Sequence, residues 1–95
     1  MVEARVDPGA EAQLIEGYPV ESEEALPDFL LGTMLLHQLG SDVWRIVTLW
    51  RDRTSFDEYR RSGGTPVAVQ AFQEAGAKPV VAMWEVEKMA VRGLN

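Results

Sequence analysis

The chain has 95 residues and a mass of 10.6 kDa, enough for one domain over residues 1–95 and little more. Its 46% hydrophobic and 25% charged residues are those of an ordinary globular chain, and the absence of cysteine excludes a disulfide scaffold, an iron–sulfur cluster, a thiolate metal site and a cysteine nucleophile. A single histidine excludes a zinc site of two or three histidines, and a net charge of −6 argues against a general nucleic-acid binder.

Residues 1–7 alternate Val2, Ala4 and Val6 with Glu3, Arg5 and Asp7, the pattern of a short strand that Pro8-Gly9 ends. Residues 10–17 read as a short helix with Gly17 as its stop, and Pro19 bars simple continuation. Residues 21–26 have the composition for another turn or two of helix, ended by Pro27. Residues 29–38 are a long apolar run, well short of the roughly 20 residues a membrane span requires, and read as a strand buried on both faces. A turn at Leu39-Gly40-Ser41-Asp42 leads into residues 43–50, rich in β-branched and aromatic side chains, and the spacing predicts a hairpin.

Ser55-Phe56-Asp57-Glu58 has the form of a capping box, opening a helix that runs to about Ser62 and breaks at Gly63-Gly64. Thr65 as N-cap with Pro66 at the first helical position restarts a helix. Ala68 and Phe72 share a face of it, and Gly76 stops it. Residues 79–89 read as the last strand, and the tail at 90–95 frays.

Strand, helix, strand, strand, helix, strand is the split βαβ order, which predicts a ferredoxin-like α+β fold with an antiparallel four-stranded sheet and both helices on one face. The strands, however, are apolar on both parities. In residues 43–50, Val43, Val47 and Leu49 alternate with Trp44, Ile46 and Trp50; in the last strand, Val81 and Met83 alternate with Val80, Ala82, Trp84 and Val86. Helices cover one face only, so the second face predicts a homodimer packed sheet against sheet. Residues 1–43 carry a net −8 and residues 44–95 a net +2. The cluster of Glu21, Glu23 and Glu24 reads as a solvated face, since its spacing supplies no preorganised metal cage. Met1 to Pro8 carry acids and no apolar stretch, unlike a signal peptide, so the expectation is a soluble cytoplasmic protein with no membrane or nucleic-acid partner.

The segment VTLWRDRTSFDEYRRSGGTPVAVQAFQEAGAKPVVAMWEV has a strand ending in Trp, a polar cap, a helix with a broken middle, a Gly-Ala-x-Pro exit and a final strand. That layout resembles antibiotic-biosynthesis-monooxygenase-like domains, and PDFLLGTMLL and VDPGAEAQLIE resemble their second strand and their first strand-to-helix passage. The resemblance implies ferredoxin-like protomers pairing into a dimeric α/β barrel. The family includes cofactor-independent oxygenases of aromatic polyketides and haem-degrading enzymes. Trp50 matches the Trp that ends the third strand and lines the pocket in both branches. Ile46 stands where an active-branch Asn often sits. Residues 51–76 contain no His, and residues 1–10 no Asn, which argues against the haem-degrading branch.

Trp50 offers a flat, partly polar wall to an aromatic ligand, or it closes the sheet edge as packing. His37, the one side chain whose ordinary pKa lies near neutrality, is suited to shuttling a proton, or it is a satisfied strand-end residue. Tyr59 and Arg60 follow on the next helix, and Arg60 suits an enolate or carboxylate, or the two belong to a solvated helix face. Trp44 and Trp84 line the space between two sheets as ligand contacts, or they are core or dimer interface. Met34, Met83 and Met89 supply adaptable packing. His37, Trp50 and Arg60 are thus the candidate catalytic residues, and Trp44, Trp50, Tyr59 and Trp84 the candidate substrate contacts. No metal or cofactor is expected. The chemistry this points to is cofactor-independent monooxygenation of a small electron-rich aromatic, with a non-catalytic binding domain or a structural dimer as the alternatives.

Overall fold

In the computed structural model, which describes residues 1–18 and 26–92, the N-terminal alternation becomes β1 (Val2–Arg5). Val2, Ala4 and, just beyond, Val6 are buried, while Glu3 and Arg5 face the other way. A single 3-10 turn at Pro8–Ala10 runs into α1 (Glu11–Gly17), whose Leu14 is fully buried. The strands β2 (Leu30–His37) and β3 (Val43–Trp50) form an antiparallel hairpin whose turn needs Gly40, at a φ of 74°. Then come α2 (Arg53–Arg61), α3 (Val67–Glu74) and β4 (Val80–Val81).

The sheet order is β2-β3-β1-β4 with every pairing antiparallel, a ferredoxin-like α+β fold. Helix α1 packs against α3, and α3 against β1. Together they bury Leu14, Ala71, Phe72 and Ala75 against Val2, Ala4, Val6, Trp44 and Ile46. Three small residues, Ala68, Ala71 and Ala75, bring α3 close to the sheet, and Phe72 fills the space between.

The stop at Gly76 takes Schellman form: Ala77 N–H donates to the Phe72 carbonyl and Gly76 N–H to that of Gln73, both at 3.0 Å, with Gly76 at a φ of 77°. Three boundaries differ from the sequence expectation. Helix α2 starts earlier than the Ser55 capping box, because Asp52 is the N-cap and its Oδ1 accepts from Ser55 N–H at 2.7 Å. The start of α3 lies at Val67, with Pro66 rather than Thr65 as N-cap. The last strand is two residues long instead of spanning 79–89. Among the described residues it pairs with β1, and the ladder's last hydrogen bond runs from Ala82 N–H to the Met1 carbonyl. Residues 21–25 of the expected extra helical turn, with Glu21, Glu23 and Glu24, lie outside the described residues, as do residues 93–95 of the tail.

The Ser55 hydrogen bonds hold the Asp52 carboxyl below its ordinary value of 3.8, the backbone bond being the largest cause and nearby Arg51 a minor one. A depressed carboxyl pKa contributes stability above the unfolded value that is lost as pH falls through the folded one. Asp52→Ala is therefore expected to lower the melting temperature at pH 7 and by a smaller amount well below pH 3.8, while Asp52→Asn, which does not titrate, stays above Asp52→Ala by the same margin at both. Thermal melts of the three proteins at the two pH values check this.

Candidate functional site

Antiparallel register sorts the helix-covered face of the β2–β3 hairpin into rows. Leu30 pairs with Trp50, then Thr33 with Thr48, Leu35 with Ile46, and His37 with Trp44. Each row has its own chemistry.

The first row carries an aromatic cluster. Phe29, just ahead of β2, stacks on Trp50 with ring centroids 5.3 Å apart and planes 14° from parallel. From α2, Phe56 meets Trp50 edge-on at 5.3 Å and Tyr59 lies against it at 5.1 Å. Phe56, Tyr59 and Arg60 are spaced i, i+3, i+4, so α2 presents all three on one side. The Arg60 guanidinium sits 5.7 Å from the Phe56 centroid. Its Nη1 lies 3.7 Å from Met83 Sδ, and among the described residues it has no carboxylate partner. All four rings are half-buried, so the cluster lies at the margin of the fold rather than in its sealed core.

The second row is polar: Thr33 and Thr48 hydroxyls are 3.2 Å apart, and Tyr18 O–H, at the end of α1, hydrogen-bonds to Thr33. The third row is closed core, with Ile46 fully buried. In the last row His37 stacks on Trp44 at 4.1 Å and 9°. His37 Nε2 donates to the Ser41 carbonyl at 2.7 Å, and Glu11 Oε1 stands 4.0 Å away.

The candidate residues thus fall into three places. Trp50, Tyr59 and Arg60 come together. His37 and Trp44 belong to the opposite end of the hairpin, six residues and about 20 Å along β3 from Trp50, so no single site holds His37 and Trp50. Trp44 is buried in the core on the helix-covered face, its Nε1 without a hydrogen-bond partner among the described residues, so of its readings the core one holds. Trp84, 77% exposed, follows the end of β4 and joins none of these rows. Of the methionines, Met34 faces out from the uncovered side of the sheet and Met83 touches Arg60. Phe29, Phe56, Tyr18, Thr33 and Thr48 were not singled out from the sequence. Phe56 was legible as the residue at helical spacing from Tyr59, and Thr48 by sharing parity with Trp50.

Among the described residues no helix is long and apolar enough to cross a membrane, and no group of three or more His, Asp or Glu is placed to hold a metal. No curated protein and no solved structure matches the chain. The family model for antibiotic biosynthesis monooxygenases matches residues 1–76, ending at the glycine stop of α3 and taking in every residue of the aromatic cluster and the hydroxyl row. With 76 of its 95 residues matched, this chain belongs to the antibiotic biosynthesis monooxygenase family.

Proposed function

We propose that the chain binds a small, planar, electron-rich aromatic molecule at the Trp50 cluster, works as a homodimer, and oxygenates that molecule without a cofactor. The observation that carries this is four half-buried rings beside a guanidinium that has no carboxylate partner among the described residues. Ring-on-ring contacts contribute about 0.5–1.5 kcal/mol each beyond burial, so a flat ligand that takes Phe29's place on Trp50 recovers what it displaces. Arg60 favours an anionic oxygen, and an electron-rich phenolate or enolate can pass electrons to oxygen directly. The atoms balance for a ring methylene: it becomes a ketone, O2 supplies the ketone oxygen, and the two hydrogens leave with the other oxygen as water. His37 stands too far away to serve as the base, so acidification of the substrate falls to Arg60 and the neighbouring hydroxyls.

Binding without turnover is the second reading. It is favoured by Ile46, which lies fully buried on the same face of β3 and supplies no polar group at the position where the resemblance leads one to look for Asn. Oxygen uptake separates the two. Fluorescence titration with anthrones and quinols is expected to give saturable quenching in wild type, most of it lost in Trp50→Phe. Arg60→Gln is expected to weaken binding of the anionic form about tenfold, after allowance for the exposure of that side chain. If no compound of this class gives saturable quenching, the site reading is wrong and the cluster is packing. The homodimer is supported by the uncovered face of the sheet, where Met34, Leu36 and Val80 are exposed beside half-buried Val43, Val47 and Leu49.

A further inference from the structure

The hydroxyl row next to Trp50 serves no evident purpose in the fold. Thr33 and Thr48 are cross-strand partners on a half-buried face, where valine fits the same space and requires no hydrogen-bond partner. Tyr18 joins them from the end of α1, bringing a third hydroxyl to a location bounded by rings on one side and sealed core on the other. Three hydroxyls carry three protons and six lone pairs. The two contacts between them occupy two of each, so among the described residues one donor and four acceptor positions have no side-chain partner.

Resting on the Trp50 reading above, we propose that Tyr18, Thr33 and Thr48 form the oxygen-recognition end of that site, binding a hydroxyl or carbonyl substituent of the aromatic ligand. The row is neutral, so it suits an uncharged oxygen, whereas Arg60 at the far side of the cluster suits an anionic one. Thr48 is two residues from Trp50 on the same face of β3, about 6–7 Å along the strand. The ligand class is an arene that carries a neutral ring oxygen. Thr48 and Thr33 are the contacts that determine specificity, with Tyr18 hydrogen-bonded to Thr33 beside them.

The test compares 2-naphthol with naphthalene, followed by the indole N–H resonances of the full chain, with the Trp50 signal assigned through Trp50→Phe. Wild type is expected to bind naphthol about three- to tenfold tighter than naphthalene, the worth of one neutral hydrogen bond. In Thr48→Val and Thr33→Val that ratio is expected to fall to about one while naphthalene affinity stays within about twofold, a split that general loosening of the site would not produce. Tyr18→Phe is the additional variant should either valine variant lose its circular-dichroism spectrum. Naphthalene binding at Trp50 with a ratio of one in wild type, or with a ratio the folded variants leave unchanged, overturns the hydroxyl proposal and leaves the Trp50 reading standing. Failure of both probes to shift the Trp50 signal overturns the two together.

Discussion

Phe72→Ala is expected to remove most of the stability of this chain. Phe72 is the one fully buried side chain of α3; beside it on the core are Ala68, Val69, Ala71 and Ala75. The space it vacates is walled by Leu14, Ile46 and sheet residues that cannot all collapse inward, so the transfer loss and the cavity term add. Buried Phe→Ala changes cost about 3–5 kcal/mol, against total stabilities of about 5–15 kcal/mol that small domains approach from the low end. For a domain of this size that corresponds to a fall in melting temperature of roughly 15–30 °C. Denaturant titration followed by circular dichroism measures it, with Val67→Ala, at an exposed position of the same helix, as the comparison expected to change little. A loss of under about 1 kcal/mol in Phe72→Ala would mean that α3 is not docked on the sheet as described.

The position of Phe72 also shows what was legible in the sequence. Its share in the buried face follows from helical spacing, and the end of its helix follows from Gly76. Both are local signals, and the structure carries both. The β3 strand was equally legible, Val43 to Trp50, because β-branched and aromatic residues fill it on both parities. Where the boundaries moved, the deciding partner was distant in sequence. Helix α2 begins after Asp52 because Arg51 is still tied to the hairpin through the Phe29 carbonyl; Asp52 is the first residue free to turn. The apolar alternation after Val81 reads as strand, yet a strand exists only where a neighbour offers hydrogen bonds, and among the described residues the β1–β4 ladder runs no further than Ala82.

The candidate site divides along the same line. Parity puts Trp44 and Trp50 on one face, and that much is correct. It does not say that six residues of β3 separate them, or that His37 belongs with Trp44. Phe29 escaped notice because the irregularity between Leu30 and Gly32 shifts the register at the start of β2, and alternation fails there. Thr33 and Thr48 become a pair only through register, which one sequence does not fix.

The same register argument gives the proposed homodimer its sharpest test. On the uncovered face Met34 lies beside Val47 and Gly32 beside Leu49, with Leu36 next to Arg45. Further across, Arg45 pairs with Glu3 and Arg5 with Asp42. The face therefore has an apolar half on β2 and β3 and a charge-paired half toward β1. In a two-fold assembly each residue occurs twice, so one substitution places two charges in the interface. A carboxylate removed from water without a partner costs several kcal/mol. Val47→Asp is therefore expected to turn a dimer in sedimentation into a monomer, weakening association at least about a thousandfold. The protomer is expected to stay folded, since Val47 faces away from the helix-side core. Arg60→Gln, on α2 and across the sheet from this face, is expected to remain dimeric. A Val47→Asp protein that still sediments as a dimer would place the interface elsewhere, and a monomeric wild type at tens of micromolar, about the range where such contacts should hold, would remove the sheet-to-sheet pairing altogether.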